Sequence, residues 1–584
     1  MSFLKQHAST LALSACLLSA FAAPYLIPGD PDSAIFRSGT LSTLLIFAAF
    51  FPAGGALHRA TKKMLVHGLI FGLLFALAMS LGAELSWYGE LLPGKGSLIR
   101  RVFVPLLATP LLGLLFTRLL CLQPKMVKKT HFKTTHLYLY TAALFFLWLP
   151  ILLAYWPGML NYDFAGEYAQ YTSGVYSSIH PLLHSALMNG IISIGERLYS
   201  RNAGLLVLIL LQMTLFALSL GRACSFAEKR LGLRFSLPML ILFGLHPVFS
   251  TLSVSATKDT LFAAALLTLS LDIFELLSGE REATVLLWFR FILCSLSVAL
   301  LRSNGFIALF PLFIGFFLST HKKKKAALLC FFGFIGTALT LFVLTITLHP
   351  ESFPSFQFYS LPAQQLIRAR AAGTLTEEQK ETLEGWYTDE LGLAVHPHLA
   401  DAAKGYLDRE RLTKQGIDFL SLWLSAAKTS IKPYFEAFLE LNIGSWYPDD
   451  KSHATIYPDV SWNDKGYLQT QELEIEGFTQ TTFLPRLRAI MERICRRNEY
   501  QNIPVLSLFF SPALPFWALL FACVLFTTRN CGFLSVSALG VIFLWVGYLF
   551  GPCTLPRYAL PLFCLAPPLV VAGFSQKLPS SQFK

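Results

Sequence analysis

Charged residues are scarce in this chain. Only 14% of its 584 residues are Asp, Glu, Lys or Arg, whereas 54% are hydrophobic and the mean hydropathy is +0.54. A composition this apolar excludes an ordinary soluble protein, and the chain is long enough to cross a bilayer many times. Its ten cysteines lie mostly inside or beside apolar runs and form no CxxC pair. The sequence therefore lacks both a disulfide framework and a CxxC metal site.

Basic residues are concentrated in short connections between apolar runs. These connections are His58 to Lys63, Lys125 to Lys133, Arg222 to Arg234 and His321 to Lys325. Such clustering is typical of cytoplasmic loops, so the net charge of +12 indicates membrane orientation and no nucleic-acid partner. We predict a multi-pass protein of the inner (plasma) membrane with both termini in the cytoplasm. Among the connections between spans, the basic pair Arg100 and Arg101 is an exception and falls on the outer side in this orientation.

Apolar runs of membrane-spanning length predict an all-α polytopic protein with about fourteen transmembrane helices. The runs at 38–57 and 235–252, for example, are each interpreted as one span. The predicted domains are a four-helix membrane bundle (1–136), a membrane core with its first outer loop at 156–202 (137–348), a mainly helical extracytoplasmic insert (349–503) and C-terminal membrane helices (504–584).

Three segments need separate interpretation. Lys5 and the following apolar stretch to Cys16 could form a lipoprotein-like signal peptide, but an uncleaved first helix fits the charge pattern better. The mixed polarity of Pro181 to Leu198 predicts a helix lying at the outer interface. In the insert, Thr376 is expected to cap a helix with an acidic first turn.

The stretch from Tyr155 to His184 combines acidic and imidazole groups and contains neither Lys nor Arg. Carboxylates at a span end are unfavourable unless they face water or a polar cavity. Asp163 and Glu167 would share one helix face, which suits either one divalent cation, Mg²⁺ or Mn²⁺, or an acid and base pair. The alternative is a pair of solvated loop carboxylates. His180 is held extended by the proline after it and is a third catalytic candidate, with a structural or interfacial histidine as the alternative.

Polar residues far apart in sequence map to the same membrane depth in this topology. Lys258, Arg302 and Arg557 would place three cations at the outer face, which suits a phosphate or diphosphate head group. Internal salt bridges and ordinary snorkelling at helix ends are the alternatives. The other candidate substrate-binding residues in this region are Tyr162, Gln170, Asp259, Asn304 and Tyr558.

Several motifs carry a resemblance to a known superfamily. WPGMLNYD at 156–163, TKDTLF at 257–262, LRSNGF at 301–306 and LPRYALPL at 555–562 resemble the GT-C membrane glycosyltransferases, most closely a bacterial branch catalogued as a domain of unknown function. Two stretches of the insert, 359–387 and 432–448, are similar to that branch too. The resemblance runs from about residue 137 to 574 and leaves out the first four spans.

The resemblance implies a function and a set of roles. GT-C enzymes transfer sugar from a polyprenyl-phosphate donor to an acceptor at the outer face, using an acidic residue of the first outer loop. Asp163 matches that residue, and Gln364, Gln365 and Arg368 would line the cleft from the insert. Asn161 stands where an Asp-x-Asp pair would begin, so metal dependence stays open.

The leading hypothesis is therefore transfer of a sugar from a lipid-linked donor to a cell-envelope glycan or lipid. The first alternative is a transporter or flippase of lipid-linked glycans, which should show broken helices, inverted repeats or polar residues at mid-membrane. Few charged residues come near mid-membrane, and Asp272 and Arg290, close to span ends, are the candidates. A noncatalytic envelope assembly protein that binds through its insert is the third hypothesis.

Overall fold

The computed structural model describes residues 2–20, 22, 48–124, 135–177, 180–282, 284–351, 356–450, 467–469, 474–495, 499 and 506–578. The helices before the insert are α1 (Ser2–Gln6), α2 (Ala8–Ala20), α3 (Phe50–Arg59), α4 (Lys62–Tyr88), α5 (Lys95–Leu120), α6 (Thr135–Ala154), α7 (Tyr162–Ser173), α8 (Leu182–Leu198), α9 (Arg201–Leu231), α10 (Leu233–Leu245), α11 (Pro247–Ser253), α12 (Lys258–Leu277), α13 (Val285–Leu300), α14 (Gly305–Ser319) and α15 (Lys323–Leu348). Two short strands, β1 (Met159–Leu160) and β2 (Ser255–Ala256), interrupt this series.

The insert and the C-terminal part are also mainly helical. Their helices are α16 (Ser360–Ala371), α17 (Glu377–Glu384), α18 (Ala400–Gly405), α19 (Arg409–Ala427), α20 (Ile431–Leu441), α21 (Ile443–Trp446), α22 (Pro485–Cys495), α23 (Leu506–Phe510), α24 (Ala513–Thr528), α25 (Val536–Tyr548) and α26 (Pro556–Ser575). Single 3₁₀ turns lie at Phe356–Tyr359, Glu390–Leu393 and Gly532–Ser535, and an antiparallel hairpin pairs β3 (Tyr467–Gln469) with β4 (Glu474–Thr479).

Seven helices among the described residues are long and apolar enough to cross a membrane. They are Lys62–Tyr88, Gly96–Leu120, Thr135–Ala154, Arg201–Leu231, Lys258–Leu277, Lys323–Leu348 and Pro556–Ser575. An eighth span results if α10 and α11, which are bent by 57° at their junction, count as one. The predicted all-α membrane class is supported, with seven or eight candidate spans in the described chain rather than about fourteen.

The number of candidate spans is smaller than predicted for identifiable reasons. Several apolar runs form helices too short to qualify, such as Val285–Leu300 and Gly305–Ser319. The predicted run at 38–57 lies partly outside the described residues. The run at 235–252 breaks because the residue before a proline avoids helical geometry. At this break His246 is extended, and its Nδ1 accepts a hydrogen bond from the Val248 backbone N–H at 3.2 Å.

The long helix α9 forms the centre of the main core. It packs against α6, α8, α10, α12 and α26, and the largest buried rings along it include Trp148, Phe216 and Phe249. Gly195 of α8 and Gly204 of α9 cross so closely that a Cβ on Gly195 would lie 2.3 Å from the Gly204 backbone. Residues Leu182–Leu198 thus form the predicted helix, which rests directly on a candidate span.

The insert is joined to the C-terminal helices by indole donors. Trp517 Nε1 donates to the Trp446 carbonyl at 2.9 Å, and Trp545 Nε1 donates to the Ser445 carbonyl at 3.1 Å. Within the insert, the predicted cap is confirmed: Thr376 Oγ1 accepts from the Gln379 N–H, and the Gln379 side chain accepts from the Thr376 N–H. The insert is therefore a helical layer fixed to the C-terminal helices.

Candidate functional site

Two strands of two residues each bring distant motifs together. Met159 pairs with Ser255 and Leu160 with Ala256 in parallel register, and each strand leads within two residues into a helix. The parallel register therefore places the start of α7 beside the start of α12. Asn161 Nδ2 donates to Thr257 Oγ1 at 2.8 Å, which fixes the two helix starts to each other.

The start of α26 joins the same place. Arg557, in the first turn of α26, donates from one NH1 atom to Asn161 Oδ1 at 3.0 Å and to Asp163 Oδ2 at 3.2 Å. Three helix N-termini, those of α7, α12 and α26, thus converge. The partial positive charges at these helix N-termini favour anions at this point. We call the charged residues here the Asp163 cluster, comprising Asp163, Glu167, Lys258, Asp259, Arg302 and Arg557.

Asp163 is the most exposed carboxylate of the cluster. Its side chain is 29% exposed, against 2% for Glu167 and 1% for Asp259. Burial acts to raise the pKa of Asp163, but Lys258, at 2.9 Å from Oδ2, and Arg557 outweigh burial and hold its pKa well below the usual range. Asp163 is therefore an ionised carboxylate with an accessible face and two cationic partners.

Glu167 is surrounded by donors. Its Oε2 accepts from His184 Nδ1 at 2.5 Å and from Ser185 Oγ at 3.2 Å, while its Oε1 lies 3.4 Å from Lys258 Nζ. Burial opposes ionisation, yet His184 and Lys258 lower the pKa of Glu167 to about 2. Through these contacts Glu167 positions His184 and Lys258. Its carboxylate is enclosed, unlike the accessible carboxylate of Asp163.

His180 lies over the same face of α7. Its Nδ1 is 3.9 Å from Glu167 Oε1, and a Cβ on Gly166 would lie 2.8 Å from its Nε2, so the absence of a side chain at Gly166 makes room for the ring. Burial, followed by Lys258, lowers the pKa of His180. The imidazole is therefore neutral at neutral pH and carries one donor and one acceptor nitrogen.

Asp259 and Arg302 form the buried side of the cluster. Arg302 NH1 pairs with Asp259 Oδ1, and Arg557 NH1 lies 3.8 Å from Asp259 Oδ2. The Arg302 guanidinium lies over the Tyr558 ring at 5.0 Å and the Tyr548 ring at 5.4 Å. Internal salt bridges, the alternative to phosphate binding, thus engage Lys258 through Asp163 and Arg302 through Asp259. Lys258 and Arg557 face the accessible carboxylate.

The remaining predicted residues near the cluster lie at its margin. Gln170 donates from Nε2 to Ser177 Oγ at 3.1 Å, and its buried Oε1 has no hydrogen-bond partner. Tyr558 Oη accepts from Arg557 NH2 at 3.4 Å, and Asn304 lies beside Tyr548. Tyr162 begins α7, but its side chain lies outside the described atoms.

The three candidates of the insert lie elsewhere. Gln364 Nε2 donates to the His396 carbonyl at 2.6 Å, and Gln365 Nε2 donates to the Tyr434 carbonyl at 3.0 Å. Arg368 donates to the Gly89 carbonyl at 2.5 Å and pairs with a buried glutamate of α20. These contacts hold the insert together and attach it to the α4–α5 loop; they do not place the three side chains in the Asp163 cluster.

Metal binding receives no support from the geometry of the described residues. No group of three His, Cys, Asp or Glu side chains among them could hold a metal ion. Asp163 and Glu167 do share a helix face, as their spacing predicts, but Lys258 bridges them. A divalent cation at these two carboxylates would have to displace this ammonium group.

Sequence reasoning missed several contributors. Ser185 holds Glu167 from α8 together with His184, which the sequence marks only as one polar group of the stretch from Tyr155 to His184, and Thr257 joins the starts of two helices. Asn161 was noted only as a departure from an Asp-x-Asp pair, although it contacts both Thr257 and Arg557. The N-cap pattern Thr-Lys-Asp at 257–259 was the available signal, since Thr257 caps α12 by accepting from the Asp259 N–H.

One family model matches most of the chain. Residues 170–582 match the model described as "Family of unknown function (DUF6020)". The chain belongs to this family. The matched range contains Lys258, Asp259, Arg302 and Arg557 and begins just after Asp163. No curated protein and no solved structure matches the chain.

Proposed function

We propose that this DUF6020 member is a membrane glycosyltransferase of GT-C-like architecture. It would move a sugar from a polyprenyl-phosphate donor to a cell-envelope glycan or lipid. The observation that carries the proposal is the convergence of three helix N-termini, Lys258 and Arg557 around Asp163, the most exposed carboxylate of the cluster. This arrangement can hold a phosphate and present a carboxylate beside it.

The donor phosphate and Asp163 would compete for the same two cations, Lys258 and Arg557. This competition would link donor binding to the basicity of Asp163. A carboxylate held by two cations is a weak base, because its pKa lies far below neutral pH. A donor phosphate bound between Lys258 and Arg557 would draw these cations from Asp163 and raise its pKa. Asp163 would therefore become an effective base only when the donor is in place.

The transfer step follows from these positions. The acceptor hydroxyl oxygen bonds to the anomeric carbon while the bond from that carbon to the phosphate oxygen breaks. The hydroxyl proton passes to Asp163, and the polyprenyl phosphate leaves with its charge neutralised by Lys258 and Arg557. Glu167 and Asp259 hold the cations in place, and neutral His180 offers a hydrogen-bonding group to the sugar or the acceptor.

The basic loops suggest the membrane orientation. With those loops in the cytoplasm, the Asp163 cluster lies at the outer face of the inner membrane, and the termini lie inside. Polyprenyl-linked sugars and envelope acceptors meet at that face. The bilayer, the lipid-linked donor and the envelope acceptor are the proposed partners.

A genetic experiment with chemical analysis tests the proposal. Mass spectrometry would compare lipid-linked sugars and envelope glycans in cells with and without the gene. We expect one polyprenyl-phosphate sugar to accumulate, and the same sugar to disappear from one envelope component. The wild-type gene and a Glu377→Gln control, altered at an exposed carboxylate, should restore both pools, whereas Asp163→Asn should not. Unchanged pools would refute the enzymatic function, and full rescue by Asp163→Asn would refute the catalytic role of Asp163.

One observation favours transport as a second candidate. The 57° break between α10 and α11 resembles the broken helices of transporters. The break also positions β2 and the start of α12, so it serves the proposed enzyme site as well. Vesicles that contain the purified protein and a labelled lipid-linked sugar distinguish the two functions: a transporter moves the intact donor across the bilayer, and a transferase breaks the sugar–phosphate bond.

A further inference from the structure

A second charged cavity lies at the opposite end of the helix bundle. Helix α12 runs from Lys258 in the Asp163 cluster to Asp272 and Glu275, so about 20 Å separate the two ends. The cavity measures about 450 Å³ and lies between α9, the end of α12 and the start of α13. We call it the arginine pocket, and its charged lining consists of Arg222, Lys229, Glu275, Glu280, Arg281 and Arg290.

Three arginines of the pocket share two carboxylates. Arg222 NH2 lies 2.6 Å from Asp272 Oδ1 and 2.9 Å from Glu275 Oε2. Arg281 NH1 is 3.1 Å from the same Glu275 oxygen, and Arg290 Nε donates to Asp272 Oδ2 at 2.9 Å. Each guanidinium carries more N–H donors than these oxygens can accept. The lining therefore retains donor capacity toward an added acceptor.

The charge balance of the pocket is positive. Four cations line it against two carboxylates, and Asp272 behind them adds a third negative charge. Glu280 is further neutralised by Arg230, which lies outside the lining. Arg281 also lines a small adjoining cavity with Lys322 and Lys325, which adds more positive charge. Ser225, buried in the lining, has a hydroxyl without a hydrogen-bond partner.

An exposed apolar surface adjoins the pocket. Val285, Leu286 and Phe289 lie on the first turns of α13, next to Arg290, and their side chains are exposed. In a membrane this surface faces lipid. A lipid head group at the arginines would therefore have its acyl chains beside apolar side chains, and basic pockets at the cytoplasmic side of membrane helices suit such head groups.

We propose that the arginine pocket binds a phosphate group, carried by an anionic lipid or present as free phosphate. Guanidinium groups form short, charge-assisted hydrogen bonds with phosphate oxygens. Several arginines around one cavity therefore favour a phosphate ligand over a ligand with a single carboxylate. The pocket is separate from the Asp163 cluster, so the proposal does not depend on glycosyl transfer.

Binding measurements on the purified full-length protein in detergent test the pocket. Thermal stabilisation would be followed while phosphatidylglycerol, diacylglycerol or inorganic phosphate is added, and the concentration dependence gives an apparent Kd. The test variants are Arg281→Gln and Lys229→Gln. Glu275 keeps Arg222 as a partner in the first variant, so the fold should persist. The control is Lys324→Gln, which removes an exposed charge at the same end of the bundle and outside the pocket.

We expect saturable binding of phosphatidylglycerol, none of diacylglycerol, and about tenfold weaker binding in Arg281→Gln, since a charge-assisted hydrogen bond is lost. Lys324→Gln should bind like the wild type. Saturable binding of inorganic phosphate with the same variant sensitivity would support the site and identify free phosphate as a ligand. Equal affinity of the wild type and both pocket variants for every probe, or equal weakening by Lys324→Gln, would overturn the proposal.

Discussion

Lys258 Nζ lies 2.9 Å from Asp163 Oδ2 and 3.4 Å from Glu167 Oε1, so one ammonium group bridges two carboxylates one helical turn apart. The bridge exists because β1 and β2 pair in parallel immediately before α7 and α12. The two carboxylates differ in what else surrounds them. Asp163 retains an exposed face, whereas Glu167 is enclosed by His184 and Ser185. This difference predicts separate effects of their substitution.

Glu167→Gln should mainly reduce stability. The folded pKa of about 2 lies below an unfolded value of about 4.3, so the ion pairs stabilise the fold fully above pH 4.3 and lose this effect as the pH falls toward 2. The shift corresponds to about 3 kcal/mol. Unfolding in detergent should show a larger acid-dependent loss in the wild type and in Glu377→Gln than in Glu167→Gln, which keeps only the smaller number of ion-paired carboxylates, Asp163 among them. Identical acid sensitivity of all three proteins would show that Glu167 is not the group responsible.

Gly166→Ala should disturb His180 without unfolding α7. The new methyl group would meet His180 Nε2 at 2.8 Å, and the ring would have to move because it is the freer of the two groups. Gly190→Ala is the matched control, since a Cβ there meets no atom within 4 Å. Transfer activity should fall about tenfold in the first variant, the effect expected when one hydrogen bond to the sugar or the acceptor is lost. Equal activity of the two alanine variants would show that His180 does not contribute to transfer.

The junction between the insert and the α4–α5 loop should respond to pH in the opposite direction. Burial raises the pKa of Glu440 to about 7, Glu436 and Glu90 add to the rise, and Arg368 opposes it. A carboxyl group with a raised folded pKa makes the fold gain stability as the pH falls from about 7 toward 4.5. Glu440→Gln should be more stable than the wild type at pH 8. The stability of this variant should not rise as the pH falls. Hydrogen exchange of α20 at pH 8 and pH 6 measures it; an unchanged pH response in the variant would contradict the assignment.

Part of this arrangement could be predicted from the sequence. The spacing of Asp163 and Glu167 placed them on one helix face, and the contacts of Lys258 with both confirm this. The grouping of Lys258, Arg302 and Arg557 at one end of the spans was also correct. Both predictions rest on helical periodicity and on membrane depth, which act along the chain and are visible in one sequence.

Other features depend on tertiary contacts that no local pattern encodes. A two-residue strand has too few residues to show a period, so the β1–β2 pairing could not be predicted. Arg302 and Arg557 both pair with the buried Asp259, and Arg557 also contacts the more exposed Asp163, a difference that no local pattern shows. Gln364 and Gln365 were assigned to the cleft by resemblance, whereas their amides satisfy backbone carbonyls within the insert. Polar side chains in structural and in ligand-binding roles look alike in sequence.

The central claim is that Asp163 takes part in the transfer of a sugar from a lipid phosphate. The most direct measurement is the release of polyprenyl phosphate from a polyprenyl-phosphate sugar by the purified protein in the presence of an envelope acceptor. The donor is the one that accumulates in cells without the gene. We predict that Asp163→Asn lowers the rate at least about 100-fold, since a positioned general base contributes about that much, while the folded protein still binds the donor, because Lys258 and Arg557 remain to hold its phosphate. An Asp163→Asn protein that releases polyprenyl phosphate at the wild-type rate would contradict the claim.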